Sequence, residues 1–166
     1  MVLYRPVILL LFTNFYLKKN SVAEFPQKVC IYSTLIGLLN VRNYSFGGEV
    51  VEKLLLDFKK YLNQGQYEKA RVLVRFFSDL VNTRVISSAS LINLFENLID
   101  VTIEDNIPQV RSDFFVYTVL SALPWSGKEL FDKKEAELDQ MLNTIDSYIS
   151  KVSKAASILP ILIIIN

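Results

Sequence analysis

Apolar side chains return every three or four positions through most of this chain, the period of helices that bury one face. The first such run spans residues 29–41, with Ile31, Leu35, Leu38 and Leu39 at helical spacing. Arg42-Asn43-Tyr44-Ser45-Phe46-Gly47-Gly48 then interrupts it, predicting a loop that carries two glycines. A second helix is expected from about residue 49 to 63, with Val51, Leu54, Leu55, Phe58 and Leu62 as its stripe. Gln64-Gly65-Gln66 supplies its exit, and a third helix begins near Tyr67, carrying Ala70, Leu73, Val74, Phe77 and Leu80. So short a connection predicts an antiparallel hairpin. Ser88 or Ser90 is placed to cap a fourth helix on Leu91, Leu94, Phe95, Leu98 and Val101, which runs out in Glu104-Asp105-Asn106. Pro108 suits the first turn of a fifth, to about residue 123, with Phe115, Val116, Val119 and Leu123 inward. Pro124-Trp125-Ser126-Gly127 ends it. The sixth, about 128–152, has the cleanest period: Leu138, Met141, Leu142, Ile145, Tyr148, Ile149 and Val152 on one side, charges on the others.

Hairpins starting near residues 49, 88 and 128 lie about forty residues apart, the spacing of two-helix HEAT-type repeats. The fold class predicted is all-α, an α-solenoid of HEAT-like antiparallel hairpins in an armadillo-type superhelix. A helical bundle shares the same periodicities.

The ends differ from the middle. Residues 7–17 read VILLLFTNFYL, after Arg5 and before Lys18 and Lys19, and Ser21-Val22-Ala23 offers a small-x-small cleavage pattern. The run is about half the roughly 20 residues a spanning helix needs, and Asn14 interrupts it. A buried helix is the reading preferred over a secretory signal. Residues 158–165, ILPILIII, are again too short to span a bilayer, and their β-branched, uncharged character makes them an aggregation hazard if exposed.

Composition narrows the chemistry. With 166 residues, 51% of them hydrophobic, the chain has material for one real core. Its 18 basic and 17 acidic side chains give no net pull on a phosphate backbone. There is no histidine and the one cysteine is Cys30, so neither an internal disulfide nor a Cys/His zinc site is available, and a reducing compartment fits best. The commonest general base is missing too, and no nucleophile, base and orienter can be named together, so the chain is read as no enzyme and as needing no cofactor.

Four groups invite a functional reading. Gly47-Gly48, Gly65 and Gly127-Lys128 lack a preceding strand and the G-x-x-x-x-G-K-S/T order of a phosphate loop, and read as turns. Arg71 and Arg75 lie one turn apart, but Arg75 is four residues from Asp79, which predicts an ion pair ahead of a phosphate patch. Glu96, Asp100, Glu104 and Asp105 cluster without a histidine and read as a solvated acidic face. Trp125 fits either a partner's anchor or packing between repeats. No catalytic, cofactor-binding or metal residue is assigned, and the partner-binding residues stay undefined.

Three stretches carry more than periodicity: IYSTLIGLLNVRNYSFGGEVVE at 31–52, VRFFSDLVNTRVISSASLINLFEN at 74–97, and DNIPQVRSDFFVYTVLSALPWSGKELFDKKEAELD at 105–139. In order and combination, from about Pro26 to Lys154, they resemble the first helical-repeat domain of the large subunits of nuclear cap-binding complexes, which is related to the middle domain of translation initiation factor four-G. The resemblance implies a scaffold that orders a small RNA-recognition subunit, the partner that grips the mRNA 5' cap. It also implies recruitment of splicing, export, nonsense-mediated decay and other RNA-processing factors, in the nucleus with shuttling to the cytoplasm. No cap-gripping residue has a counterpart here, so the chain is expected not to bind cap alone. The division expected is an atypical apolar segment at 1–25, the repeat domain at 26–154, and an apolar tail at 155–166, as of a product truncated at both ends, with residues 3–17 standing in for the family's leading helices. A different class of function is a small membrane-associated or secreted helical protein anchored by its two hydrophobic ends.

Overall fold

A computed structural model of the chain describes residues 26–104 and 106–165, with side-chain environments from 27 to 154. The expectations for residues 1–25 lie outside the described residues. Among the described residues six α-helices follow one another: α1 Val29–Arg42, α2 Tyr44–Asn63, α3 Tyr67–Asn82, α4 Ser88–Ile99, α5 Gln109–Ala122 and α6 Gly127–Ile165. Short 3-10 turns at Pro26–Lys28, Asp100–Thr102 and Leu123–Trp125 lead into α1 and extend α4 and α5. There is no strand among the described residues, and the all-α hairpin stack stands.

The connections show how the chain folds back on itself. Between α2 and α3, the Gln66 N–H donates to the Tyr61 carbonyl at 2.8 Å and the Gly65 N–H to that of Leu62 at 3.2 Å. Gly65 sits at φ +67°, the left-handed conformation this helix-terminating motif requires. The cap of α4 is Ser87, one residue before Ser88, the first of the two serines expected to cap it. Ser87 is extended and accepts from the Ser90 N–H at 3.1 Å, leaving Ser90 inside the first turn. Pro108 stands just ahead of α5, and its carbonyl accepts from the Arg111 N–H.

The glycine loop expected between the first two helices does not form. A single residue, Asn43, turns the chain from α1 into α2, and Gly47 and Gly48 belong to α2. The reason lies on α1. Asn40 Oδ1 accepts from the Gly47 N–H at 3.2 Å, while the N-cap carbonyl of Asn43 accepts from the Phe46 N–H instead. A β-carbon on Gly47 would fall 2.4 Å from that oxygen, so only glycine lets the two helices approach so closely.

α1, α3 and α5 lie side by side as one layer, and α4 and α6 pair in a second, with α2 joining α1 and α3. The core between them is built on Ile36, Phe76, Phe77, Leu80, Leu91, Phe95, Ile99 and Leu130, each almost fully buried. Phe77 meets Phe58 edge-on at 6.4 Å between ring centres. One stripe departs from expectation, and one helix carries a break that its period did not announce. α1 buries Val29, Tyr32, Ser33, Ile36 and Gly37, while Ile31 and Leu38 are 64% and 65% exposed. The helix is apolar on nearly every side, so its period could not say which side meets α3. Gly37, whose β-carbon would lie 2.8 Å from Thr83 Cβ, marks the side that does. α6 is interrupted where Lys134 leaves helical geometry (φ −146°, ψ 45°), and Leu138, Met141 and Ile145 reach the core beyond this kink.

Candidate functional site

The layer formed by α3 and α5 presents a ladder of arginine and aromatic side chains. α3 contributes Tyr67, Arg71 and Arg75, four residues apart and therefore stacked up one side of the helix. α5 and the turn after it contribute Phe114, Tyr117 and Trp125. They meet rung by rung. The Tyr67 and Phe114 rings are 4.9 Å apart, and the Arg71 guanidinium lies 5.3 Å from the Tyr117 ring while donating to its hydroxyl at 2.9 Å. The Arg75 guanidinium stacks 3.7 Å from the centre of the Trp125 ring. The Trp125 carbonyl accepts from Asn82 Nδ2, tying the turn to the end of α3. Tyr67, Tyr117 and Trp125 remain 52%, 55% and 41% exposed.

This arrangement corrects one expectation. Arg75 and Asp79 share a helix face, yet among the described residues no carboxylate lies within 4.0 Å of Arg75. Asp79 is buried and accepts instead from the Cys30 thiol of α1 at 3.3 Å. Burial pushes the Asp79 carboxyl above its ordinary 3.8, against the opposing pull of the Cys30 hydrogen bond and the Arg75 charge. Burial first, and then the Asp79 carboxylate, raise the Cys30 thiol. A thiol held protonated is a poor nucleophile and a poor metal ligand. Arg71 does form an ion pair, with Glu68 at 2.5 Å.

The remaining candidates do not assemble. Asp100 and Glu104 are exposed, Glu96 is half-buried, and Asp105 lies outside the described residues. Among the described residues no group of three acidic, cysteine or histidine side chains is placed to hold a metal ion. Gly47, Gly48 and Gly127 are helical and Gly65 is a helix terminus, so none shapes a phosphate loop. An open cleft where the α3–α4 connection faces α6 is lined by Arg84, Ser88, Glu129, Lys133 and Lys134, but Glu129 pairs with Lys133, and Lys134 pairs with Glu137 beside it. Tyr148 donates to Asp113 at 2.7 Å, and burial with that carboxylate pushes its hydroxyl up to about 12. Sequence reasoning singled out Arg71, Arg75 and Trp125 separately and missed Tyr67, Phe114, Tyr117 and Asn82. A four-residue repeat of large side chains on α3 was a signal for Tyr67 alone; Phe114, Tyr117 and Asn82 had none.

Comparison with known proteins gives this architecture a lineage. Nuclear cap-binding protein subunit 1 of Mus musculus is 51% identical over 129 residues, and that of Homo sapiens 50% over the same length, in each case 78% of this chain. The Salmo salar protein is 53% identical over 126 residues. The chain spans 16% of the length of each of these relatives. No helix among the described residues is long and apolar enough to cross a membrane, and nothing in these relatives supports anchoring by the hydrophobic ends. The MIF4G domain family matches residues 7–159, reaching ahead of the interval read from the motifs, and the chain belongs to that family.

Proposed function

We propose that this chain is a non-catalytic scaffold segment of a nuclear cap-binding complex large subunit. The observation that carries the proposal is identity of about one half, sustained over 126–129 residues, to proteins named nuclear cap-binding protein subunit 1. The structure is compatible with a scaffold. Its helices are held by apolar packing, and its one cysteine is hydrogen-bonded to a buried carboxylate. What it offers outward is surface for partners. In this reading residues 26–154 form the repeat domain, flanked by the apolar segments 1–25 and 155–166. The small RNA-recognition subunit binds the mRNA cap, and the large subunit supports it and recruits splicing, export and decay factors in the nucleus and, by shuttling, in the cytoplasm.

Capture on immobilised cap analogue tests this. The chain is mixed with the small subunit, alone or fused to the remaining length of its human relative. The expected result is retention of the fusion together with the small subunit, and no retention of the chain by itself. Failure of the fusion to join the small subunit would overturn the assignment. Retention of the chain alone would place cap-partner docking within these 166 residues.

A further inference from the structure

The ladder on α3 and α5 has a chemical character that packing alone does not account for. Both arginines have a buried Nε with no acceptor among the described residues. Arg75 is held by the face of Trp125 and its charge acts on the neighbouring Cys30 and Asp79, but among the described residues no carboxylate lies within ion-pair distance of it. Arg71 is held by Tyr117 and a solvent-exposed Glu68. A guanidinium stacked on an aromatic ring keeps its charge and its donating edge, is weakly hydrated, and is already ordered, the state in which arginine best grips a carboxylate in a bidentate fork.

We propose that the surface formed by Tyr67, Arg71, Arg75, Phe114, Tyr117 and Trp125 docks a short acidic segment of a protein partner in extended conformation. The spacing sets the motif. Arg71 and Arg75 stand one helical turn apart, roughly 5–6 Å between β-carbons. Alternate residues of an extended strand stand roughly 6.6 Å apart on one side. Two acidic residues separated by one other therefore reach both guanidiniums, and an apolar neighbour rests on the exposed rings of Tyr67 and Tyr117. Nucleic acid fits less well. A strand of RNA needs a row of phosphate contacts, and this face holds two guanidiniums beside Glu68 on a chain of net charge +1. The Trp125 ring that could stack a base carries Arg75 on one face instead. The inference gives the proposed scaffold one binding face, but it stands on side chains of this chain alone. Its test uses neither cap nor small subunit, so the two can fail separately.

Trp125 is the chain's single tryptophan, so its fluorescence reports directly on this surface. The full chain is titrated with a synthetic ten-residue peptide carrying two Glu-Xaa-Glu pairs around a phenylalanine. The same peptide with glutamine for glutamate, and a ten-nucleotide oligouridylate, are run in parallel. The acidic peptide is expected to change Trp125 emission saturably, and binding should weaken about tenfold or more with the glutamine peptide or in R75Q, in keeping with loss of a charge-assisted pair. R71A should weaken it as well, and R75K should not restore it, because an ammonium lacks the planar fork. Each variant's circular-dichroism melt must match the parent's for the comparison to count. An acidic peptide that leaves Trp125 unchanged, equal binding of the acidic and glutamine peptides, undiminished binding by folded R75Q, or tighter binding of oligouridylate would each overturn the proposal.

Discussion

Gly47 and Gly48 are neighbours in α2, yet the same substitution should act on them in opposite directions. A β-carbon at Gly47 meets the Asn40 amide and, at 3.0 Å, Val85. G47A must displace Asn40 and lose the hydrogen bond it accepts, so a net loss of about 1–2 kcal/mol is expected even after the gain in helix propensity. G48A meets nothing within 4 Å and should raise stability by about 0.5–1 kcal/mol, because alanine leaves less backbone freedom to lose on folding. Urea denaturation of the two variants checks both signs. Asp79 makes a pH-dependent case. Its folded carboxyl titrates above the ordinary value, so the folded state holds the proton more tightly than the unfolded chain does. Its favourable contribution is present below pH 3.8 and is lost as pH rises through the raised value. D79N stays neutral and can still accept from Cys30, so its melting temperature relative to wild type should climb as pH rises from 4 toward 7. A difference independent of pH would contradict this. Individual site residues were visible in the sequence, but their partners were not. The four-residue step from Arg75 to Asp79 satisfied the local rule for an ion pair, whereas the true partner of Arg75 comes from a turn fifty residues later and that of Asp79 from α1.

At the scale of elements, α2, α3, α4 and α6 could be read from their periods because each is apolar on one side and wet on the other, whereas α5 buries Ser112 and Thr118 and exposes Val110, Tyr117 and Leu120. Phe95, fully buried on α4, anchors that helix in the core. F95A should cost about 3–5 kcal/mol, the range for deleting a large buried ring, and thermal melts would show it as a loss of many degrees. α1 could not be oriented from its own sequence, since both Ile36 and Ile31 satisfy a helical period and only contact with α3 chooses between them. The α1–α2 connection was misplaced for a related reason. Glycine ordinarily marks a break, but here the demand for close approach between α1 and α2 at Asn40 outweighs the local cost of glycine in a helix. Ser88 or Ser90 was the cap expected, but the last extended residue before the helix is Ser87, and its side chain takes that role. The kink at Lys134 has no sequence signal: neither proline nor glycine stands there, and the structure supplies no side-chain cause for it.

Over the whole molecule, membership of the MIF4G family and the observed layering agree on a repeating hairpin architecture. The resemblance that led to it rested on ordered motifs, and the periods alone could not have separated a solenoid from a bundle. Among the described residues every substantial contact between helices joins neighbours or next-but-one neighbours in the chain, as when α3 touches α1, α2, α4 and α5. That feature governs how the molecule comes together and comes apart. Contacts close in sequence demand little loop closure, so the chain should fold fast for its size, and any hairpin can start the process. Opening should likewise run inward from the flanks. Amide hydrogen exchange is expected to be slowest in α3, enclosed by four other helices, and progressively faster toward the outer helices, so that this protein loses its structure by peeling and not by collapse of a single centre.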